Sequence, residues 1–281
     1  MKPILIHEHL AVCSWSLQPS GPEDLVKKMK LTGLSRIQLE LDPLRDVPET
    51  WNDTEKILHE TGVTIISGMV RCLGEDYSTL DSIRRTGGIA PDKTWEQNVK
   101  NFSAAAVIAK KLGLSLVTFH AGFLPTDESD PAFGKMRDRL STLANIFKEH
   151  HISLGLETGQ ETATELADWL QQLKHPNVCV NFDPANMLLY GKGDPVEALH
   201  VLAPWIRQVH IKDAHRAKTR GEWGEEVPVG RGEVDWHKFL AVLHEVASHV
   251  NLVIEREAGD RRVPDIRGAK EFIERHFSSL Q

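Results

Sequence analysis

The chain has 281 residues, of which 41% are hydrophobic and 26% are charged, and its formal net charge is −7 at pH 7. A chain of this length can bury a large core, and because barrels of this size commonly form one domain, we expect a single domain over residues 1–281. No apolar run reaches the about 18 residues of a membrane-spanning helix. The acidic balance, without a basic run, argues against a nucleic-acid surface.

The N-terminal segment and the cysteines bear on the cellular compartment. The segment MKPILIHEHLAVCSWSL has one lysine and a short apolar stretch interrupted by histidines and a glutamate, unlike a signal peptide. Cys13, Cys72 and Cys179 are far apart and form no CxxC pair, which is typical of reduced thiols rather than a disulfide framework. We therefore expect a cytoplasmic protein with no membrane partner.

Apolar, β-branched runs recur along the chain and predict eight strands. These runs lie at residues 10–17, 35–41, 63–70, 115–120, 152–157, 178–183, 206–212 and 251–256. Near-continuous apolar runs of this length are typical of strands that are buried on both faces, as in parallel sheets.

Helical patterns fill the gaps between these strands. Thr94 with Gln97, and Thr162 with Glu165, have the spacing of capping boxes, in which two side chains satisfy free amides of the first helical turn. The helix PEDLVKKMKLT is followed by Gly33, a typical helix stop.

The alternation of eight strands with helices indicates an α/β fold, a single (β/α)8 TIM barrel. A doubly wound open sheet is the alternative. No glycine-rich dinucleotide fingerprint follows the first strand, which makes that alternative weaker without removing it.

Polar residues stand at the ends of the last five strands. In a parallel barrel all strand C-termini open on one face, where active sites lie. The residues at these ends are His120, Glu157, Asp183, His210, Lys212, Asp213 and Glu255. The period-two alternation of a strand puts His210 and Lys212 on one side and their neighbours Val209 and Ile211 on the other.

Three crowded carboxylates would raise one another's pKa, and a divalent cation removes that repulsion. Glu157, Asp183, His210 and Glu255 offer three oxygens and one imidazole, a set that suits Mn²⁺ or Mg²⁺ and is compatible with Co²⁺ or Zn²⁺. Taken singly, three of these residues could have a purely structural role. Asp183, before a proline, could form a turn or cap a helix, Glu157 could be a salt-bridge partner, and His210 could be a core histidine. Their succession on neighbouring strands favours a shared metal site.

The segments GLETGQET, VNFDPANM, VHIKD and VIERE, in this order, resemble the xylose isomerase-like sugar phosphate isomerase/epimerase superfamily. The resemblance extends over nearly the whole chain and is strongest from residue 150 to 256. In ketose 3-epimerases of this superfamily, Glu, Asp, His and Glu from strands five to eight bind one divalent ion. By this resemblance the ligands are Glu157, Asp183, His210 and Glu255, and the two glutamates are also the catalytic acid/base pair.

The resemblance also implies substrate contacts. Asn186 matches a position that is histidine and touches substrate in some epimerases, and Arg216 falls near a substrate-binding arginine. A further substrate-binding glutamate of the family has no clean match, and Gln160 or Glu161 could replace it. The implied substrate is a small sugar, and the residues leave open whether it is phosphorylated. A homo-oligomer is compatible with the resemblance, and nothing in the sequence decides it.

The implied chemistry is proton removal α to a ketose carbonyl through an enediolate. Return of a proton to the opposite face gives epimerisation, return to the neighbouring carbon gives aldose–ketose isomerisation, and loss of a β-hydroxyl gives dehydration of a keto-sugar or keto-inositol. The sequence does not separate these outcomes.

Several other residues are candidates for the barrel mouth. Lys212 could act as an acid or electrostatic helper, or simply pair with Asp213 or Glu255. His120 could contact a substrate hydroxyl. Glu40 could face the mouth, Trp15 and Trp223 could form apolar walls, and the segment 214–232 could close over the site.

Two other functional classes compete with a sugar enzyme. Abasic-site endonucleases of the superfamily bind three zinc ions and need further histidines; here Asn186 stands at one such position, and the DWH pattern at 235–237 is expected to begin a helix. A non-catalytic sugar-binding barrel would tolerate loss of a glutamate, yet both Glu157 and Glu255 are present.

Overall fold

A computed structural model describes residues 9–280 except 220 and 248, and the side chains of 278–280 are left aside. Eight parallel strands close into a barrel, which confirms the predicted fold. In chain order the strands of the described residues are β1 Leu10–Cys13, β2 Arg36–Glu40, β3 Thr64–Met69, β4 Leu116–Phe119, β5 Ser153–Glu157, β6 Val178–Phe182, β7 Ile206–Ile211, β8 Asp213–His215, β9 Glu225–Val227 and β10 Asn251–Ile254. The order around the barrel is β1, β10, β7, β6, β5, β4, β3, β2, and β8 pairs with β9 in a separate antiparallel ribbon.

Helices connect the strands and cover the outside of the barrel. They are α1 Pro22–Thr32, α2 Asp42–Asp46, α3 Pro48–Trp51, α4 Thr54–Glu60, α5 Leu80–Thr86, α6 Asp92–Lys111, α7 Pro131–Lys148, α8 Ala163–Leu173, α9 Pro184–Leu189, α10 Pro195–Leu202, α11 Trp236–Ala247 and α12 Arg262–Leu280. In the part of the chain that the structure describes, no helix is long and apolar enough to cross a membrane.

The predicted element ends hold for most strands and fail in two places. The first strand stops at Cys13 because a 3₁₀ turn, Trp15–Leu17, follows it, so the predicted extension to residue 17 is wrong. The predicted capping box of Thr94 and Gln97 is also wrong, since α6 begins two residues earlier, after Pro91. Proline at this boundary fixes the backbone φ for helix entry without any side-chain cap.

Other helix signals are confirmed. Thr162 and Glu165 form a capping box at the start of α8, with both reciprocal hydrogen bonds present. Gly33 ends α1 in the left-handed conformation, with φ 72°, that favours glycine. The DWH segment leads into α11, and the Asp235 carboxylate accepts a hydrogen bond from the Lys238 amide.

The side chains of the barrel strands alternate between two environments. Outward-facing residues such as Val12, Ile37 and Leu39 join the large apolar core between the strands and the helices. The inward-facing set is small or polar and fully buried, and includes Ala11, Cys13, Gln38, Ser67, Thr118, Asn181 and Gln208. The barrel interior is therefore a hydrogen-bonded network rather than an aliphatic plug, and it lies directly beneath the strand C-termini.

Two register shifts place members of this network. The pairing of β2 with β3 shifts between Ile37 and Gln38, and the pairing of β6 with β7 shifts between Val180 and Asn181. A β-bulge changes the direction of the side chains beyond it. After the shifts Gln38 pairs with Ser67 and Asn181 with Gln208, so four polar side chains face the barrel axis at one level.

Candidate active site

Four side chains at the C-terminal ends of adjacent strands converge on one point. Glu157 ends β5, Asp183 follows β6, His210 lies in β7 and Glu255 follows β10, and these strands are neighbours in the barrel. Each carboxylate places one oxygen near the His210 Nδ1 atom: 3.5 Å for Glu157 Oε1, 3.7 Å for Asp183 Oδ2 and 3.3 Å for Glu255 Oε2. All four residues are buried.

The centre of this cluster has the properties of a cation site. The four ligand atoms lie within 4.8 Å of one another. Asp183 Oδ2 and His210 Nδ1 are buried and have no hydrogen-bond partner among the described residues. Unpartnered buried polar atoms are rare because they lose the hydrogen bonds of water. Three carboxylates and one imidazole nitrogen that face the same point fit a divalent cation, which would satisfy both atoms.

Asp183 serves two purposes. Its Oδ1 atom accepts a hydrogen bond of 2.9 Å from the Asn186 amide and thereby caps α9, while Oδ2 faces the cluster. The capping role and the ligand role considered for this residue are therefore compatible, because each uses a different oxygen.

The opposite edge of His210 fixes the orientation of its ring. The Gln38 amide oxygen lies 2.8 Å from His210 Nε2 and is the acceptor there, because the Gln38 nitrogen donates to Thr118 Oγ1 at 2.8 Å. The Asn181 amide nitrogen, 3.1 Å from Nε2, is itself a donor. A proton held on Nε2 leaves the Nδ1 lone pair free to bind a metal, the arrangement that supporting residues commonly impose on histidine ligands.

The electrostatics of the cluster call for a positive charge at its centre. Burial alone would lower the pKa of His210, yet Cys13, Glu157 and Glu255 hold it well above its usual value. Burial raises the pKa of Asp183, and Lys212 only partly offsets this. Opposite charge nearby favours the ionised carboxylates. A divalent cation would supply that charge more completely than a protonated imidazole.

The two glutamates are held by different neighbours. Glu157 accepts hydrogen bonds from the Asn186 side-chain nitrogen at 2.9 Å and from Asn181 at 3.2 Å. Glu255 accepts from the Trp15 indole nitrogen at 2.7 Å and from Lys212 at 2.9 Å. Trp15, predicted as an apolar wall, therefore orients Glu255 through its polar edge.

Lys212 lies inside the site and not at its rim. Its ammonium group donates to Glu255, to Glu257 at 2.7 Å and to the Asn186 side-chain oxygen at 3.3 Å. Although burial alone would lower the pKa of Lys212, Glu255 and Glu257 hold it well above the usual value. The suggested pairing with Glu255 is present.

The suggested pairing of Lys212 with Asp213 is absent, because Asp213 points away from the barrel axis. Its carboxylate accepts hydrogen bonds from the Gly230, Gly232 and Val234 amides and from the Trp236 indole. Asp213 thus fixes the chain that returns from the β8–β9 ribbon to α11.

A cavity of about 350 Å³ opens above the cluster. It combines aromatic, charged and apolar side chains from five strand ends of the barrel and the connections that follow them. Its lining is Met69, Arg71, Glu75, Tyr77, His120, Asn186, Leu189, Tyr190, Lys212, Trp223, Glu226 and Glu257. Three of the predicted substrate contacts, His120, Asn186 and Lys212, are in this set. His120 Nε2 lies 3.6 Å from Glu157 Oε1, so the cavity and the cluster are continuous.

Trp223 and Glu226, from the segment 214–232, line one side of the cavity. The rings of Trp223 and Tyr190 are 4.8 Å apart, and the Gly224 amide donates to the Leu189 carbonyl. Glu226 accepts hydrogen bonds from the Glu257 amide and from Arg256, which anchors the ribbon to the end of β10. Trp223 is therefore a cavity wall as predicted, while movement of the segment stays a prediction.

Other predicted contacts lie outside the cavity lining. Arg216 bonds to the Gly193 carbonyl at 3.0 Å and faces Glu233. Glu40 pairs with Arg71 at 2.5 Å. Gln160 reaches the cavity only through the Tyr190 hydroxyl, 3.3 Å away.

Glu161 is also directed away from the substrate space. It accepts a hydrogen bond of 2.8 Å from the Leu124 amide, and burial raises its pKa to about 7. Neither Gln160 nor Glu161 thus contributes directly to the cavity lining.

Sequence reasoning missed several lining residues. Tyr190 stands four residues after Asn186, and Glu257 stands two residues after Glu255, so helical and strand spacing could have identified both. Glu75 and Tyr77 lie in an irregular loop after β3, where periodicity gives no signal.

Two curated relatives are similar to this chain. The uncharacterized Escherichia coli protein YihM is 28% identical over 172 residues, 58% of this chain and 50% of that protein. The match thus spans half the length of YihM. The inosose dehydratase of Geobacillus kaustophilus is 29% identical over 247 residues, 78% of this chain and 76% of that enzyme.

Solved structures show the same architecture. A xylose isomerase domain protein from Planctomyces limnophilus is 26% identical with a TM-score of 0.88, over 97% of this chain and 98% of that one. At lower identity the fold alone is shared with L-ribulose 3-epimerase, at 16% identity, TM-score 0.73 and coverage of 96% and 95%. It is also shared with a zinc-bound IolI protein, at 15% identity, TM-score 0.75 and coverage of 97% and 99%.

The family model described as xylose isomerase-like TIM barrel matches residues 25–276, which include the four residues of the cluster and the lining of the cavity. With the closed barrel and the cluster at its C-terminal mouth, this match shows that the chain belongs to the xylose isomerase-like TIM barrel family.

Proposed function

We propose that the protein is a divalent-metal-dependent isomerase or epimerase that moves a proton α to the carbonyl of a keto-sugar. The observation that carries this proposal is the convergence of three carboxylate oxygens on the unpartnered Nδ1 atom of His210 at the floor of a cavity. The oxygen-rich ligand set favours Mn²⁺ or Mg²⁺.

The four ligands would leave space on the cavity side for a substrate. A cation held by Glu157, Asp183, His210 and Glu255 would act as a Lewis acid on the ketone oxygen. The cavity begins directly above these residues, since Asn186 and Lys212 both line it and contact them. A ketone bound there has its α-carbon within the space between the two glutamates.

Glu157 and Glu255 are suited to exchange a proton on opposite faces of that carbon. They stand on the first and last of four adjacent strands, β5 and β10, with Asp183 and His210 between them. One glutamate removes the α-proton and the other returns a proton to the opposite face, which inverts the centre. Charged neighbours hold both in the ionised form: although burial raises their pKa, His120 lowers that of Glu157 and Lys212 that of Glu255.

The remaining polar residues of the floor would orient the substrate. His120 and Asn186 reach the cavity beside Glu157, and Lys212 reaches it beside Glu255. Each can hydrogen-bond a substrate hydroxyl on its own side of the reacting carbon. Arg216 is not part of this set because its contacts lie outside the lining.

Dehydration is the second candidate, and the similarity to inosose dehydratase over 76% of that enzyme favours it. After the same proton removal, a β-hydroxyl leaves as water instead of a proton returning to the carbon. Lys212 lines the cavity and is the group that could protonate the leaving hydroxyl, by exchanging its longest hydrogen bond, 3.3 Å to Asn186, for one to the substrate.

The two reactions differ in their products in D₂O. Purified protein loaded with Mn²⁺ is incubated with a panel of ketoses and an inosose, and products are read by NMR and mass spectrometry. Epimerisation gives a stereoisomer with one solvent deuterium at the α-carbon, whereas dehydration gives a product lighter by one water. Chelation should abolish either reaction and restored metal should recover it.

Matched variants separate the proposed roles from folding. Glu157→Gln and Glu255→Gln should each stop net conversion, while Glu233→Gln, which changes a half-exposed carboxylate outside the cavity, should not. Conversion that survives in both active-site variants, or that proceeds fully after metal removal, would overturn the proposal.

A further inference from the structure

We infer that the substrate of this site is an uncharged polyhydroxy ketone, and that the cavity discriminates against phosphorylated and carboxylated sugars. This inference rests on the proposed function and adds to it the chemical class of the substrate. It is carried by the way in which the cations of the cavity lining are already paired with carboxylates.

The ammonium group of Lys212 is surrounded by acceptors of the protein. An ammonium group has three hydrogens to donate. In the structure these meet Glu257 Oε2 at 2.7 Å, Glu255 Oε2 at 2.9 Å and Asn186 Oδ1 at 3.3 Å. Because two of these three acceptors are carboxylates, a phosphate approaching Lys212 would meet their negative charge first.

Arg71 is the other permanent cation among the described lining residues. It pairs with Glu40 Oε1 at 2.5 Å, and the carboxylate of Glu75 lines the same part of the cavity. The histidine of the lining, His120, lies 3.6 Å from Glu157. Each positively charged or chargeable lining group thus has a carboxylate of the protein beside it.

The carboxylates of the lining outnumber its permanent cations. Glu75, Glu226 and Glu257 face the cavity together with Arg71 and Lys212. Among the described residues, Glu226 alone of these three carboxylates is bound to a cation outside the lining, Arg256, at 2.7 Å. A like charge brought among these groups is repelled, which is a common device for rejecting a wrong ligand. Sugar hydroxyls, in contrast, can donate to carboxylate oxygens.

The walls above the floor are suited to an uncharged ring. Tyr190 and Trp223 pack at 4.8 Å on one side, and Tyr77 lies 6.1 Å from the His120 ring on another. Aromatic faces are partially negative and attract the C–H groups of a sugar. The indole nitrogen of Trp223 is buried without a hydrogen-bond partner in the described part of the chain, and the residue lines the cavity.

The test compares uncharged ketoses with their phosphates. The probes are D-fructose with D-fructose 6-phosphate, D-xylulose with D-xylulose 5-phosphate, and an uncharged inosose. Binding is followed by tryptophan fluorescence and by calorimetry on the Mn²⁺-loaded protein, with Trp223→Phe as the control for the fluorescence signal. Exchange of the α-proton in D₂O is measured in the same samples.

We expect at least one uncharged compound to bind, and in each pair we expect the uncharged member to bind at least about tenfold more tightly than its phosphate. Equal or tighter binding of the phosphates, or no binding of any uncharged ketone, would overturn the inference. Binding of an uncharged ketone without α-proton exchange or loss of water would overturn the proposed reaction and leave the substrate class supported.

Two variants test whether the paired charges cause the discrimination. Glu257→Gln frees one donor of Lys212, and Glu75→Gln removes a carboxylate near Arg71. Each variant should lower the ratio of the affinity for the uncharged sugar to the affinity for its phosphate several-fold. Glu233→Gln, outside the cavity, should leave this ratio unchanged. An unchanged preference in both cavity variants would contradict the inference.

Discussion

The two halves of the barrel differ in what they bring to its mouth. Strands β5, β6, β7 and β10 supply all four members of the cluster, three of them carboxylates. Strands β2, β3 and β4 supply the neutral side chains Gln38, Ser67 and Thr118 to the buried network below the cluster. The charged residue at the end of β2, Glu40, pairs with Arg71 outside the cluster.

The contrast shows that one half supplies the charged groups of the cluster and the other half supplies neutral groups that orient the His210 ring. The carboxylates on one side of the barrel concentrate negative charge at the cluster, and the neutral Gln38 opposite them accepts a hydrogen bond from His210 Nε2, which leaves Nδ1 directed at the cluster. Neutral amides and hydroxyls can be buried at little cost when they are hydrogen-bonded to one another, whereas buried carboxylates need a compensating charge. Substitutions in the two halves should therefore have different consequences.

The largest effect is expected in the charged half. Asp183→Asn keeps an oxygen to cap α9 but removes the charge that faces His210. Bound metal, measured by elemental analysis, should fall far below one ion per chain, and kcat/KM should fall at least about 10³-fold, or about 4 kcal/mol. Near-normal metal content in a folded Asp183→Asn protein would contradict the assignment of this residue as a ligand.

Glu161 is a carboxylate of the same half that lies outside the cluster, and its replacement should raise stability rather than lower activity. Glu161 follows β5 and accepts the Leu124 amide of the connection after β4. Burial raises its pKa from 4.5 to about 7, so the native state binds this proton more tightly than the unfolded state. The resulting stability is complete below about pH 4.5 and is lost as the pH rises through about 7.

Glu161→Gln keeps the hydrogen bond to Leu124 and removes the titration. The variant should match the wild type near pH 4 and exceed its free energy of unfolding by about 3 kcal/mol above pH 8. Urea unfolding at a series of pH values measures this difference. A difference that does not change with pH would show that Glu161 titrates alike in both states.

In the neutral half, Gln38→Leu tests the orientation of the His210 ring without altering the charge of the site. The change removes the acceptor for His210 Nε2 and should weaken metal binding about 10–100-fold, with one ion per chain still bound at saturation. Competition with a chelator gives the affinity. Ser67→Ala is the matched control, because Ser67 is equally buried and bonds to Gln208 but does not touch His210. Equal loss in both variants would point to general disruption of the network.

The same contrast explains how far the sequence could predict the site. The four residues of the cluster stand at strand ends, and a strand end together with barrel closure determines the position of a side chain. Local pattern was therefore sufficient to predict that Asp183 and His210 lie close together at the mouth. The cavity walls depend on how long connections fold back. Glu75 and Tyr77 line the cavity from an irregular loop. Arg216 lies outside the lining because its guanidinium contacts the Gly193 carbonyl and Glu233.

Polar edges were another source of error. Trp15 was interpreted from its apolar ring, but the residue contributes through its indole N–H, since Glu255 is buried within 2.7 Å of it. A composition-based reading assigns a tryptophan to a wall, and only the tertiary arrangement shows which of its edges meets a charged partner.

The smallest predicted effect is on the stability of two helices, one in each half, whose sequences both have the spacing of a capping box. Glu165 completes a capping box on α8, accepting the Thr162 amide at 2.7 Å, whereas Gln97, at the equivalent spacing after Thr94, bonds to Asn101 within α6. Glu165→Ala should lower the free energy of unfolding by about 1 kcal/mol, and Gln97→Ala should change it by less than about 0.5 kcal/mol. Chemical denaturation of both variants measures the two values. Equal losses would show that the spacing alone carries the stabilisation. We expect the losses to differ, because a side chain at this position stabilises the helix start when it accepts a hydrogen bond from a free backbone amide, as Glu165 does and Gln97 does not.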